Sequence, residues 1–173
     1  MAQREADTPG GGTTGSSSGR GGERTVKLKD LVPAATNTVN TTFIVLDKAA
    51  PRPSHASAHV RDGGRGGEET CLALVADETA AAHFLLWGGE CGAFEPGDIV
   101  RLTGGIFSYH RANSLVLRAG RRGRAEKVGE FTMLFVETPN MSEVRWAPDP
   151  ADPRRMVQEA VVSPYSQVFK PPR

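Results

Sequence analysis

The chain has 173 residues, of which 24% are charged and 38% hydrophobic, and its formal net charge is +1. That length holds one domain with tails, and the near-neutral balance means that any surface for a polyanion must be local. No run approaches the ~18 consecutive apolar residues of a membrane-spanning helix. The opening residues, MAQREADTPGGG, have no apolar signal-peptide core, and Cys71 and Cys91 are too few for a zinc framework. The expectation is a soluble intracellular protein with two reduced thiols, no metal and no cofactor.

Residues 1–25 are rich in Gly, Ser and Thr. They cannot bury enough apolar area to offset their ordering entropy, so a disordered tail is expected there. The folded domain is expected over 26–146. Pro33 stops the short segment VKLKDLVP. The first clear strand is 39–47, VNTTFIVLD, β-branched and aromatic as strands prefer. Residues 48–68 read as a long loop punctuated by Pro and Gly, whose histidines lack acidic or Cys partners at metal-ligating spacing. The second strand is 70–76, followed by a tight turn at Asp77, Glu78 and Thr79. The third is Ala81–Trp87. Side chains alternate along a strand, so with Phe84 and Leu86 inward, His83, Leu85 and Trp87 point outward.

Residues 88–94 allow only a short helical link, and Glu95-Pro96-Gly97-Asp98 is a turn. The fourth strand is predicted over 98–106, with Gly104 and Gly105 marking a bulge. The fifth is predicted over 114–118, with Leu115 and Leu117 inward and Val116 and Arg118 outward. Residues 147–173 read as a flexible C-terminal tail, because Pro148, Pro150 and Pro153 prevent a continuous helix, with a short helix near 155–161. Five short strands with a long first loop and a helical link between the third and fourth point to an all-β, five-stranded OB-fold barrel with disordered tails. Closure removes the exposed strand edges.

Between Asp98 and Val128 there are seven basic residues: Arg101, Arg111, Arg118, Arg121, Arg122, Arg124 and Lys127. Only Asp98 and Glu126 oppose them within that span. Phe107, Tyr109 and His110 are interleaved, and Trp87 ends the preceding strand. Rings that stack on unpaired bases, flanked by guanidinium groups that meet phosphates, are the chemistry of a single-stranded nucleic-acid site. The candidate residues are Trp87, Arg101, Phe107, Tyr109, His110, Arg111, Arg118 and Arg121. The competing reading is a solvated arginine face above core aromatics. No phosphate-binding GxxxxGK[ST], HExxH or GxSxG motif occurs, so no catalytic residues are assigned and no enzyme is expected.

Several segments resemble the B-subunit family of the SOSS complex, eukaryotic single-stranded DNA-binding proteins with one OB fold. They are TFIVLD at 42–47, VADET at 75–79, FLLW at 84–87, EPGDIVRLTGG at 95–105, LVLRAGRRG at 115–123 and KVGEFTMLFVETPNMSE at 127–143. The resemblance covers about residues 26–146. It implies binding of single-stranded DNA in the DNA damage response and double-strand break repair, in the nucleus, without a membrane. It also implies assembly with a large helical scaffold subunit. Trp87 falls on the family's stacking Trp. Ile106 and Arg118 stand where the family has aromatics, and Glu130 and Phe131 match its scaffold-contacting GEF segment. The alternatives are an RNA-binding OB protein in transcript processing, and a protein-interaction adaptor.

Overall fold

A computed structural model describes residues 24–34, 38–53, 69–111 and 113–172. The expectations for residues 1–23 and for the loop from 54 to 68 lie outside the described residues. The strands are β1 (Val39–Lys48), β2 (Arg52–Pro53), β3 (Glu69–Ala76), β4 (Ala81–Trp87), β5 (Asp98–His110), β6 (Ser114–Glu130), β7 (Val144–Pro148) and β8 (Met156–Val161). The main sheet runs β1-β5-β6-β4-β3-β2, and a further β1–β3 pairing closes it. β4 and β6 are parallel at Phe84↔Leu117 and Leu85↔Arg118, and the other pairings are antiparallel. Strands β1, β3, β4, β5 and β6 thus form the closed barrel of an OB fold, with a short 3-10 turn at Gly88–Gly92 between β4 and β5.

The barrel closes around inward side chains at alternating positions, as the pleat dictates. Phe43, Phe84 and Phe107 are among its largest fully buried side chains, with Leu86, Leu102 and Leu117 beside them. The rings of Phe43 and Phe84 lie 5.0 Å apart at 58°, a tilted pairing that suits aromatic quadrupoles. Trp146 and Met141 belong to the same core.

β6 does not end at Arg118 but continues to Glu130. Its continuation is interrupted by a large bulge. Gly105 pairs with Ala119 and Thr103 with Arg124, so residues 120–123 stand opposite Gly104 alone. Three glycines permit this pinch. Gly104 has φ +64°, and a Cβ on Gly120 or Gly123 would lie 2.7 Å or 2.3 Å from the Gly104 carbonyl oxygen. Arg121 and Arg122 are left exposed in the bulge.

The C-terminal region also departs from the expectation of a flexible tail. β7 and β8 form an antiparallel hairpin, and 156–161 is strand rather than helix. The prolines that forbid a helix fit the turn, which is held by hydrogen bonds from the Asp149 N–H to the Arg155 carbonyl and from the Arg155 N–H to the Asp152 carbonyl. Buried Trp146 and partly buried Met156 fasten the hairpin to the barrel.

Beyond the hairpin the chain lies on the outer side of β4. The Ser166 Oγ accepts the N–H groups of Val168 and Phe169, which leaves its O–H to donate to His83 Nε2 at 2.6 Å. Burial pushes the His83 pKa down to about 4, consistent with a neutral acceptor ring. The Phe169 ring sits 5.9 Å from it. The outward parity read for His83 and Leu85 is therefore correct for the barrel, yet both side chains are buried because other segments cover that face.

Candidate nucleic-acid interface

The site begins at the end of β4. Trp87 is half-buried, and its ring meets that of His110 edge-on, with centroids 5.6 Å apart and planes at 88°. This pairing brings the β5–β6 tip against the end of β4. His110 also lines a groove of about 420 Å³, with Leu72, Leu85 and Val116 among its apolar lining and Arg52 and Arg111 among its polar lining, while Trp87 stands outside that lining. The His110 pKa is lowered, first by burial and then by the charges of Arg111 and Arg118. His110 therefore offers a neutral ring at pH 7.

Arg118 lies between Leu85 on β4 and Ile106 on β5 in the sheet register. Its Nε is buried without a hydrogen-bond partner, and Arg118 makes no ion pair among the described residues. A buried donor without an acceptor carries a desolvation cost. Ile106 is half-buried beside it.

Phe107 is not part of this surface. It is 0% exposed, pairs with Leu117 and lies in the core. The bulge at Gly104 shifts the alternation by one residue. Val100 and Leu102 face inward before it, and Gly105 and Phe107 are buried after it, which turns Ile106, Ser108 and His110 outward. Tyr109 shares the parity of Phe107 but stands at the barrel end, where it is 47% exposed.

The basic residues divide into groups. Lys127 pairs with Asp98 at 2.9 Å and with Glu130, and Arg124 pairs with Glu126 at 3.4 Å. Glu130 thus joins the two carboxylates counted from the sequence. Arg101 sits on β5 before the bulge, opposite Thr42 and Glu126. It lines a separate hollow with Asn40, Thr41 and Thr103, which shares no residue with the groove at His110. The structure therefore brings Trp87, Arg111 and Arg118 close to His110, but of these four only His110 and Arg111 line the groove. Trp87 adjoins it through the His110 ring, Arg118 lines a separate hollow with Tyr109, and neither Arg101 nor Arg121 lines the groove. Sequence reasoning missed Arg52, Leu72 and Val168 as parts of the groove. The outward parity of β3 carries a signal for Leu72; Val168 comes from a segment read as tail.

Glu130 ends β6. Phe131 follows with φ +58° and donates its N–H to the Gly97 carbonyl at 2.8 Å. Its ring lies against Gly97, where a Cβ would stand 2.1 Å from the ring. Phe131 is nonetheless 74% exposed, and Leu134, Phe135 and Val136 beyond it are exposed as well. Phe131 is therefore a surface side chain and not a plug of the barrel core.

No family model matches the chain. Among solved structures, the chain is similar to a hypothetical protein from Arabidopsis thaliana studied in solution, at 22% identity and a TM-score of 0.57, covering 82% of this chain and 98% of that one. It is also similar to a replication factor A related protein from Methanobacterium thermoautotrophicum, at 15% identity and a TM-score of 0.47, covering 61% of this chain and 92% of that one. An OB domain from Thermoplasma acidophilum matches at 16% identity and a TM-score of 0.47, covering 60% of this chain and 86% of that one. The strand order and closure described above make the chain an all-β protein with an OB-fold barrel.

Proposed function

We propose that the chain is a non-catalytic single-stranded DNA-binding protein, serving as the DNA-binding subunit of a SOSS-like complex in nuclear double-strand break repair. The observation that carries this reading is the Trp87–His110 ring pair beside a groove with an apolar floor, next to an arginine whose Nε has no partner. Bases stack on the rings, and phosphates meet Arg111 and Arg118. The resemblance of residues 26–146 to the SOSS B-subunit family supports the finer assignment.

Titration with oligo-dT and oligo-rU at two salt concentrations tests it. The expected result is tighter binding of dT, weakening as salt rises with a log–log slope of about −0.7 per phosphate neutralised. Tighter binding of rU would favour transcript processing, since OB barrels take either strand. Absence of binding to both at low salt would leave a protein-interaction adaptor.

The exposed apolar side chains of Phe131, Leu134, Phe135 and Val136 fit the proposed membership of a SOSS-like complex, as a surface for a helical scaffold subunit. Changing Glu130 and Phe131 together to Ala is expected to abolish scaffold pull-down while the dT dissociation constant stays unchanged. Retained capture would remove this segment from the interface.

A further inference from the structure

The groove continues past the hairpin tip. Asn113 and Leu115 line it, and both also line a second hollow with Tyr109, Glu143 and Arg145. Tyr109 in turn lines a third hollow, of about 660 Å³, with Ser108, Arg118, Arg154 and Met156. The first two hollows share Asn113, Leu115, Ser142 and Glu143, and the second and third share Tyr109, so the three lie in succession around the hairpin tip. Arg145 lies on β7 and Arg154 in the turn before β8, so the C-terminal hairpin supplies both cations. Both are exposed, and neither makes an ion pair among the described residues.

The carboxylates nearby are engaged locally. Glu143 Oε1 accepts the Gln167 N–H at 2.9 Å, and Asp152 Oδ1 accepts the Arg154 N–H at 3.1 Å. Arg118, with its unpartnered Nε, belongs to the third hollow. An exposed phenol ring among guanidinium groups has the composition of a nucleotide subsite, with a π-face for one base and forked donors for its phosphates.

We propose that Tyr109, Arg118, Arg145 and Arg154 form a second nucleotide subsite, which carries the strand from the groove at His110 and Arg111 onto the C-terminal hairpin. This rests on the reading of the groove as a single-stranded DNA site. The hairpin then sets the length of strand the protein covers. A short oligonucleotide occupies the groove alone, and a longer one reaches the hairpin.

The test uses the full chain and a ladder of oligo-dT from about 4 to about 16 nucleotides, the span OB folds cover. Arg154→Glu and Tyr109→Ala are each expected to raise the dissociation constant about tenfold or more for the long oligonucleotides, with little change for the shortest. Arg154→Glu also flattens the salt dependence by about 0.7 in log–log slope for each phosphate that is no longer neutralised. Arg155→Glu makes the same charge change on a neighbour that lines none of the three hollows and serves as the control; circular dichroism confirms that each variant retains its β signature. If Arg154→Glu and Arg155→Glu weaken binding equally, or if no length shows an effect, the subsite is overturned. In that event weaker binding at every length in Trp87→Ala would still uphold the groove. A wild-type protein that binds no oligonucleotide overturns both.

Discussion

Phe107→Ala is expected to lower the folding stability by about 3–5 kcal/mol, the usual cost of emptying a buried phenylalanine site. Phe107 is 0% exposed and sits opposite Leu117 across the β5–β6 ladder. Removing its ring forfeits the transfer free energy of the side chain and leaves a void that the closed sheet fills only in part. Since a domain of this kind is stable by roughly 5–15 kcal/mol in total, the variant keeps a small margin. Urea denaturation followed by intrinsic fluorescence measures the change as a shifted midpoint with a similar slope. The same experiment decides which way the ring points. A stacking residue would lose oligonucleotide affinity at unchanged stability, and that outcome would contradict the inward orientation. Phe107→Leu, which keeps most of the volume, should bind oligo-dT like the wild type.

Trp87→Ala gives the converse pattern. Its dissociation constant for oligo-dT is expected to rise by about 5- to 150-fold, corresponding to roughly 1–3 kcal/mol for removal of one base–ring stack. Trp87 is half-buried at the strand end, and its ring meets His110 edge-on. Its removal therefore costs little of the core, and the unfolding midpoint moves far less than for Phe107→Ala. Fluorescence anisotropy at fixed salt reads the affinity. An unchanged dissociation constant would take Trp87 out of the site and with it the proposed stacking mechanism.

The contrast between these two rings shows where sequence reasoning stops. β4 was legible to its ends, because AAHFLLW is apolar, bounded by a turn and by Gly-Gly, and of strand length. The barrel order was legible from the spacing of five such runs. The facing of Phe107 was not. Gly104 and Gly105 signal a bulge but not its size, and one residue more or less exchanges the faces of everything that follows. The second half of β6 was hidden for a related reason. RAGRRGRAEKVGE has the glycines and charges of a loop, and its pairing depends on β5 lying alongside. The C-terminal hairpin escaped because β8 exposes nearly every side chain and so carries no alternation. Trp146, an isolated indole among prolines, was an apolar cue that the segment is anchored. Among the basic residues, nearness along the chain misled. Arg101 and Arg118 lie on neighbouring strands, yet they line different hollows on either side of the bulge.

The pinch at residues 120–123 separates two kinds of specification within one tetrapeptide. The glycines fix where the excursion leaves the ladder, since a methyl group at either end would strike the Gly104 carbonyl. The two arginines between them are exposed and make no ion pair among the described residues, so they bear no weight in the architecture. Charge at this spot can accordingly be raised, lowered or inverted over generations without disturbing the scaffold beneath, while its placement stays locked. A surface built this way lets its charge drift independently of fold stability, two properties that packed interfaces usually force to change together.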